Sequence, residues 1–377
     1  MFIIFLFFLF LSRLKILKSN LFLLHYFLFL FISSLISVLN KHASFLQSVL
    51  GAIDISRKFM IYLLLSSFTY NINTFRKIYS FIEKLLLLLG IWTIVEFVII
   101  ILFPNFREVF VFDGELNREV YRFGFPKLGS VWGFANIGAP LYLLLFFIYQ
   151  NVDNKNVTIK KLICIMQFFI FQSRMVILSF LFYLLINPKG LLKKIRVINY
   201  LILTLLIILF SVIFITEFKN FQLNSRDTRV ISIIYGINIW KDNKIFGLGP
   251  GTFGGNVSFM FSSEVYNNLP EKARTLFFSI HTTDVYWIQI LVEIGFLGLL
   301  IYVFINYKIG KIFRYKSYDY LLNGFHNEYS IMKGIGDYVI YAIPILGMGI
   351  NLNYFTAWTL AIILGSVGLK TKLRNYE

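Results

Sequence analysis

The chain has 377 residues, 58% of them hydrophobic, with a mean hydropathy of +0.74 and a formal net charge of +17. Soluble domains carry roughly 45–50% apolar residues, so the composition excludes an ordinary soluble enzyme. The basic residues gather at the ends of apolar runs and form no basic, aromatic-rich face on a soluble domain, which excludes nucleic acid as a partner. The first residues, MFIIFLFFLFLSRLK, lack a basic leader and a small-residue cleavage site, so they read as a retained membrane segment. Next, 21–38 and 60–67 read as spans, and 45–55 as a short or re-entrant one. Further apolar runs follow at 85–103, 131–149, 162–172, 175–186, 201–216, 285–305, 335–349 and 355–367. A helix of roughly 20 apolar residues crosses a bilayer.

Charge placement orients these runs. Lys155, Lys160 and Lys161 follow one run, Lys189, Lys193, Lys194 and Arg196 follow another, and Lys308, Lys311, Arg314 and Lys316 follow a third. Together with Lys370, Lys372 and Arg374 in the tail they mark the cytoplasmic side. The links at 104–130 and 217–280 mix signs and read as external loops. The fold class expected is an all-α integral membrane protein, one polytopic domain over 1–377 with about 9–11 transmembrane helices. Its large extracytoplasmic loop at 217–280 is expected to hold short helices.

That loop gathers most of the chemistry. Asn224 or Ser225 caps a helix starting near Arg226, which places Arg229, Ile233, Gly236, Ile237 and Trp240 on one face. Two guanidiniums near a helix start suit an anion, because Arg grips phosphate oxygens bidentately. The bland reading, a salt bridge to Asp227 or a lipid headgroup contact, is the commoner one for such residues. GLGPGTFGG, 247–255, breaks any helix at its Gly-Pro-Gly, and its amides, including those of Gly249 and Gly251, can cradle an anion. No GK[ST] follows, so it is not a P-loop.

His281 lies where the loop re-enters the membrane, with Asp284 one turn on and Glu293 deeper in the next helix. A histidine there can take a proton from a hydroxyl at neutral pH. The spacing is not that of a zinc site, and no paired carboxylates suit a divalent ion, so neither metal nor cofactor is expected. Cys164 is the single cysteine, which rules out an internal disulfide. Arg174 stands in the apolar stretch FIFQSRMVILSF; a charge at that depth marks an anionic partner, unless it snorkels or pairs with Glu96 or Glu217. Arg122 opens RFGFPKLGSVWGFANIGAP, the external segment before a span.

In this order the residues resemble the O-antigen polymerase/O-antigen ligase superfamily. The resemblance covers roughly 122–300. It lies in Arg122 with Gly129, the Ser173-Arg174 turn, Arg229 then Trp240 then Gly247, Gly249, Gly251 and Phe253, and His281 followed by Glu293, Gly295 and Gly298. The sequence departs from the ligase pattern at Thr282, where Asn often follows the histidine, and at Pro250 inside the second glycine pair.

The resemblance implies a metal-independent, inverting membrane glycosyltransferase with a helical GT-C-type scaffold in the bacterial inner membrane. Its active face would be extracytoplasmic. It would join undecaprenyl-diphosphate-linked repeat units into O-antigen or capsular polysaccharide, or, as a ligase, pass the glycan to lipid A-core. Arg174 and Arg229, with Arg122, Arg226, Gly249 and Gly251, would hold the diphosphate. His281 would serve the acceptor hydroxyl, supported by Asp284 and Glu293. The implied partners are lipid-linked glycan donor and acceptor, membrane lipids and a chain-length regulator. A lipid-linked sugar flippase is the alternative from another class.

Overall fold

The computed structural model describes residues 20–106, 121–122, 125–126, 135–152, 155–186, 204, 228–280, 285–348, 356–369 and 371–372. The expected span at 1–15 and, save residue 204, that at 201–216 lie outside them, as do the basic link at 189–196 and most of the first external loop. Helices dominate the described residues. Three of them, Leu21–Leu39, Ile72–Leu102 and Tyr286–Leu322, are long and apolar enough to cross a membrane. The protein is therefore an all-α membrane protein. Its contacts divide it into two units.

The first unit comprises 1–70, 224–308 and 369–372. It opens with α1 (Leu21–Leu39) packed on α2 (Phe45–Ser67). A reciprocal capping box starts α2: the Ser44 hydroxyl accepts from the Gln47 amide at 3.2 Å, and the Gln47 side chain accepts from the Ser44 amide at 3.4 Å. This corrects the sequence expectation of two pieces. Asp54, Ser56, Arg57 and Lys58 interrupt the hydropathy, yet the helix runs unbroken for 23 residues. Its buried face, Gln47, Ser48, Gly51, Ile55, Lys58, Phe59 and Tyr62, keeps a helical period even where it is polar.

The same unit holds the large loop. Within it, α7 (Thr228–Asp242), α8 (Asn256–Met260) and α9 (Glu271–Ile280) surround a core of Leu248, Phe253, Phe259, Tyr266, Leu269, Ala273, Phe277 and Val292. Each fully buried large apolar side chain contributes about 1.5–3 kcal/mol, enough to hold such short helices together. The face of α7 that packs carries Ile231, Ser232, Tyr235, Gly236 and Ile239. Ile233, expected on that face, is exposed.

The second unit comprises 71–223, 309–368 and 373–377. Here α3 (Ile72–Leu102), α4 (Ala135–Gln150), α5 (Lys155–Phe171) and α6 (Arg174–Ile186) pack with α11 (His326–Asp337). Gly90 of α3 accepts a bond from the Gln167 side chain at 2.8 Å, and the Tyr142 hydroxyl donates to the Leu86 carbonyl. Glu83 accepts from Tyr149 and, at 2.7 Å, from Lys160. After α11 the chain passes through a π-helical turn, Tyr338–Ala342, into α12 (Ile343–Leu346), and α13 (Thr356–Leu369) closes the set.

The long α10 (Tyr286–Leu322) contributes to both units. It corrects a second expectation: Lys308, Lys311, Arg314 and Lys316 lie on its helical continuation, not in a link. Arg314 pairs with Asp337 at 3.2 Å, and Tyr320 donates to the Gly368 carbonyl at 2.7 Å.

Candidate functional site

Gly295 breaks α10. Its backbone sits at φ 68, ψ −176, a region open essentially to glycine alone. A break in a membrane helix strands backbone donors and acceptors that lipid cannot satisfy. The ribbon 244–255 satisfies them. Leu248 and Gly249 donate to the carbonyls of Val292 and Glu293 at 2.9 and 2.7 Å, while Phe296 and Leu297 donate to Lys244 and Ile245 at 2.9 and 3.3 Å. The glycine-rich stretch of the loop and the E-x-G of the helix are thus two sides of one seam.

The ribbon also lies flat on α2. A Cβ at Gly51 would stand 2.1 Å from the Gly251 nitrogen, so backbone meets backbone with no room for a methyl group. The Gln47 side chain donates to the Gly251 carbonyl at 2.8 Å. The residues 248–255 are all buried. Phe253 donates its amide to Glu293, and Gly254 donates to the Tyr266 hydroxyl at 2.8 Å. The anion cradle expected at Gly249 and Gly251 meets a different arrangement here. The Gly249 amide is spent on Glu293's carbonyl, and Gly251 also bonds the Glu293 carboxyl. In this geometry the two glycines act by shape, since a Cβ at Gly249 would collide with the Ser37 hydroxyl.

A closed hydrogen-bond chain locks the far end of the ribbon. Ser258 gives its proton to the Gly255 carbonyl at 2.6 Å, which leaves Tyr266 as the donor in the 2.8 Å Ser258–Tyr266 pair. Burial pushes the Tyr266 phenol well above its usual pKa, so the ring stays a neutral donor.

Glu293 is 1% exposed. Its carboxyl accepts from the Phe253 amide at 3.2 Å and from the Gln289 side chain at 3.4 Å. Beside it lies a cluster that sequence reasoning missed. Lys58, fully buried in α2, places its ammonium 5.7 Å from the centre of the Tyr286 ring. Asp54, one turn before Lys58, interacts electrostatically with it and pairs with Arg57 at 3.7 Å. Tyr286 shares a 2.7 Å bond with Tyr302. The available signal was the helical spacing of Gln47, Gly51, Asp54 and Lys58 in a run otherwise long enough to span, since ionisable residues inside spans are functional by default.

Arg174 is the first residue of α6, half-buried, with its Nε out of solvent. It follows the turn made by Gln172 and Ser173, between two helices as expected. Glu96 is buried in α3 of the same unit. Arg229 is the second residue of α7, and Arg122 pairs with Phe125 in a two-residue antiparallel ladder. His281, Asp284 and Arg226 lie outside the described residues. The site residues whose side chains are described are therefore Arg174 in the second unit and Glu293, with the ribbon glycines, in the first. Among the described residues no three His, Cys, Asp or Glu side chains gather as a metal site.

Residues 161–303 match the O-antigen ligase family. The matched stretch is consistent with the O-antigen polymerase/ligase superfamily. It begins in α5, takes in Arg174, the loop core, the ribbon and the Gly295 break, and ends in α10; Arg122 precedes it. No curated protein matches the chain.

Proposed function

We propose that the protein joins oligosaccharide repeat units carried on undecaprenyl diphosphate into O-antigen or capsular polysaccharide, at the outer face of the bacterial inner membrane. The observation that carries this reading is the O-antigen ligase match at 161–303, which contains both Arg174 and the ribbon-filled break in α10. The support reaches O-antigen polymerase or ligase chemistry in general, and the choice of polymerase is ours.

In the proposed reaction the acceptor hydroxyl attacks the anomeric carbon of the donor sugar from the face opposite the diphosphate. The C–O bond to the diphosphate breaks, the bonding pair leaves with the diphosphate, and configuration inverts. Arg174 and Arg229, helped by Arg122 and Arg226, take up the charge that develops on the leaving group. His281 accepts the hydroxyl proton, with Asp284 orienting it. Glu293 and the glycines 249 and 251 act one step back, holding the ribbon against α2 and α10 so that the chain re-enters the membrane in register. The energy resides in the phosphoglycosyl bond, so neither a nucleotide sugar nor a metal enters the scheme.

The second reading is a ligase that transfers the finished glycan to lipid A-core, favoured by the description of the matching family. Reconstitution with a lipid-diphosphate oligosaccharide decides between them. Polymerase activity gives a ladder of longer lipid-linked chains from donor alone. A ligase gives product only when lipid A-core is added. A flippase gives neither, and moves donor between leaflets. Broken helices occur in transporters, but the break at Gly295 is closed by the ribbon's hydrogen bonds.

A further inference from the structure

The N-terminal half of α3 carries a shallow, open groove of about 400 Å³ lined by Arg76, Lys77, Ser80, Phe81 and Lys84. Three of its five lining residues are cationic and none is acidic. The acids nearby are already engaged. Glu328 of α11 bonds the Arg76 guanidinium, which also lies 5.6 Å from the Phe325 ring. Glu83, adjacent to Lys84, accepts from Lys160 and Tyr149. Lys77 and Lys84 are exposed, two helical turns apart on one face, and form no ion pair among the described residues. The groove thus holds a fixed guanidinium and two surplus ammonium groups.

An apolar stripe begins among the cations and continues past them. Phe81, Leu85, Leu88, Trp92, Val95, Val98 and Leu102 are exposed at three- and four-residue spacing. From Leu85 to Leu102 the stripe rises about 26 Å at 1.5 Å per residue, close to the roughly 30 Å thickness of a hydrocarbon core. Cations at one end of a membrane-length stripe lie at headgroup level, with acyl chains alongside the stripe. Lys77 and Lys84 have stems long enough to reach that level from either side of it.

We propose that this groove binds the phosphodiester headgroup of an anionic glycerophospholipid, with Lys77 and Lys84 on the phosphate, the Ser80 hydroxyl beside them and a chain along Phe81 and Leu88. The Glu328-held Arg76 forms the rigid wall. Two uncompensated positive charges select a net-negative headgroup over a zwitterionic one. This site is independent of the glycosyl-transfer reading.

The test uses the full chain in nanodiscs of phosphatidylcholine with about one-fifth phosphatidylglycerol, released into detergent and weighed intact by native mass spectrometry. The wild-type protein should retain phosphatidylglycerol in preference to phosphatidylcholine. The exposed double variant Lys77→Gln, Lys84→Gln should lose roughly 25-fold in retention, at about a factor of five per lysine. The variant Lys308→Gln, Lys311→Gln removes the same charge from exposed positions of α10 and should stay within about twofold of wild type. An equal loss in both variants would mean diffuse attraction to the bilayer surface and would overturn the proposal. So would displacement of the lipid by millimolar inorganic phosphate, which would make the groove a soluble-phosphate site. Melting temperatures of both variants within a degree or two of wild type establish that retention, not folding, is being read.

Discussion

Glu293 and Arg174 are both ionisable residues in apolar settings, and their surroundings separate them. The Glu293 carboxyl is enclosed by donors from its own unit, the Phe253 amide and the Gln289 side chain. A carboxamide keeps an acceptor for Phe253. Glu293→Gln should therefore hold at least about a third of wild-type turnover, whereas Glu293→Ala leaves a buried amide unsatisfied and should cost about 1–3 kcal/mol of stability. The paired measurement is turnover and thermal midpoint of the reconstituted variants; inactive but fully stable Glu293→Gln would move Glu293 into the chemistry. Arg174 begins a helix, where a guanidinium fork can face an anion. Arg174→Ala should abolish polymer at unchanged protein level, and Arg174→Lys should recover less than about a tenth, because a point charge does not replace a bidentate grip. Chain-length analysis on gels reads both, and wild-type ladders from Arg174→Ala would remove this residue from the mechanism.

Among the elements, α2 shows where sequence reasoning lost the fold. Hydropathy alone splits it at Asp54–Lys58, because the polar residues that face the protein interior look like a link. The capping box at Ser44 and the four-residue steps of Gln47, Gly51 and Ile55 carry the helix through that interval. The span at 21–38, the Ser173-Arg174 turn and the helix near 356 were legible because apolar composition alone fixes them. The packed face of α7 was not, since Gly236 is matched to Ile288 and Phe253, and Ile231 and Tyr235 to the loop core, all from other parts of the chain. The ribbon was legible as a helix breaker but not as the partner of a second break, because hydrogen bonds between 244–249 and 292–297 leave no trace in local pattern. This yields a prediction at the level of the α2–ribbon contact. Gly51→Ala places a methyl group into the Gly251 backbone and should destabilise the first unit by about 1–3 kcal/mol, with a matching loss of active protein. A thermal midpoint unchanged from wild type would mean the ribbon lies farther from α2 than described.

For the molecule as a whole, composition and charge placement were enough to establish an all-α membrane protein, and the order of the arginines and glycines was enough to suggest the superfamily. The number of spans depends on long-range geometry, which no local window contains. At this scale the reading predicts that chelation leaves turnover of the purified protein unchanged, because charge on the leaving diphosphate is taken up by guanidiniums. Inhibition by EDTA that Mg²⁺ reverses would show a metal in the reaction.

The interlocked seam at Gly295 has a consequence for anyone who wishes to redirect the specificity of such a protein. The stretch 228–280 looks like a detachable cassette, but its stitches run into α2 at Gly51 and into α10 at 292–297. A graft of the cassette alone would leave unpaired backbone groups at the break in α10 and a mismatched surface on α2. Successful chimeras will have to transplant three separated pieces together, and natural divergence in this loop should be matched by compensating change at those two distant borders.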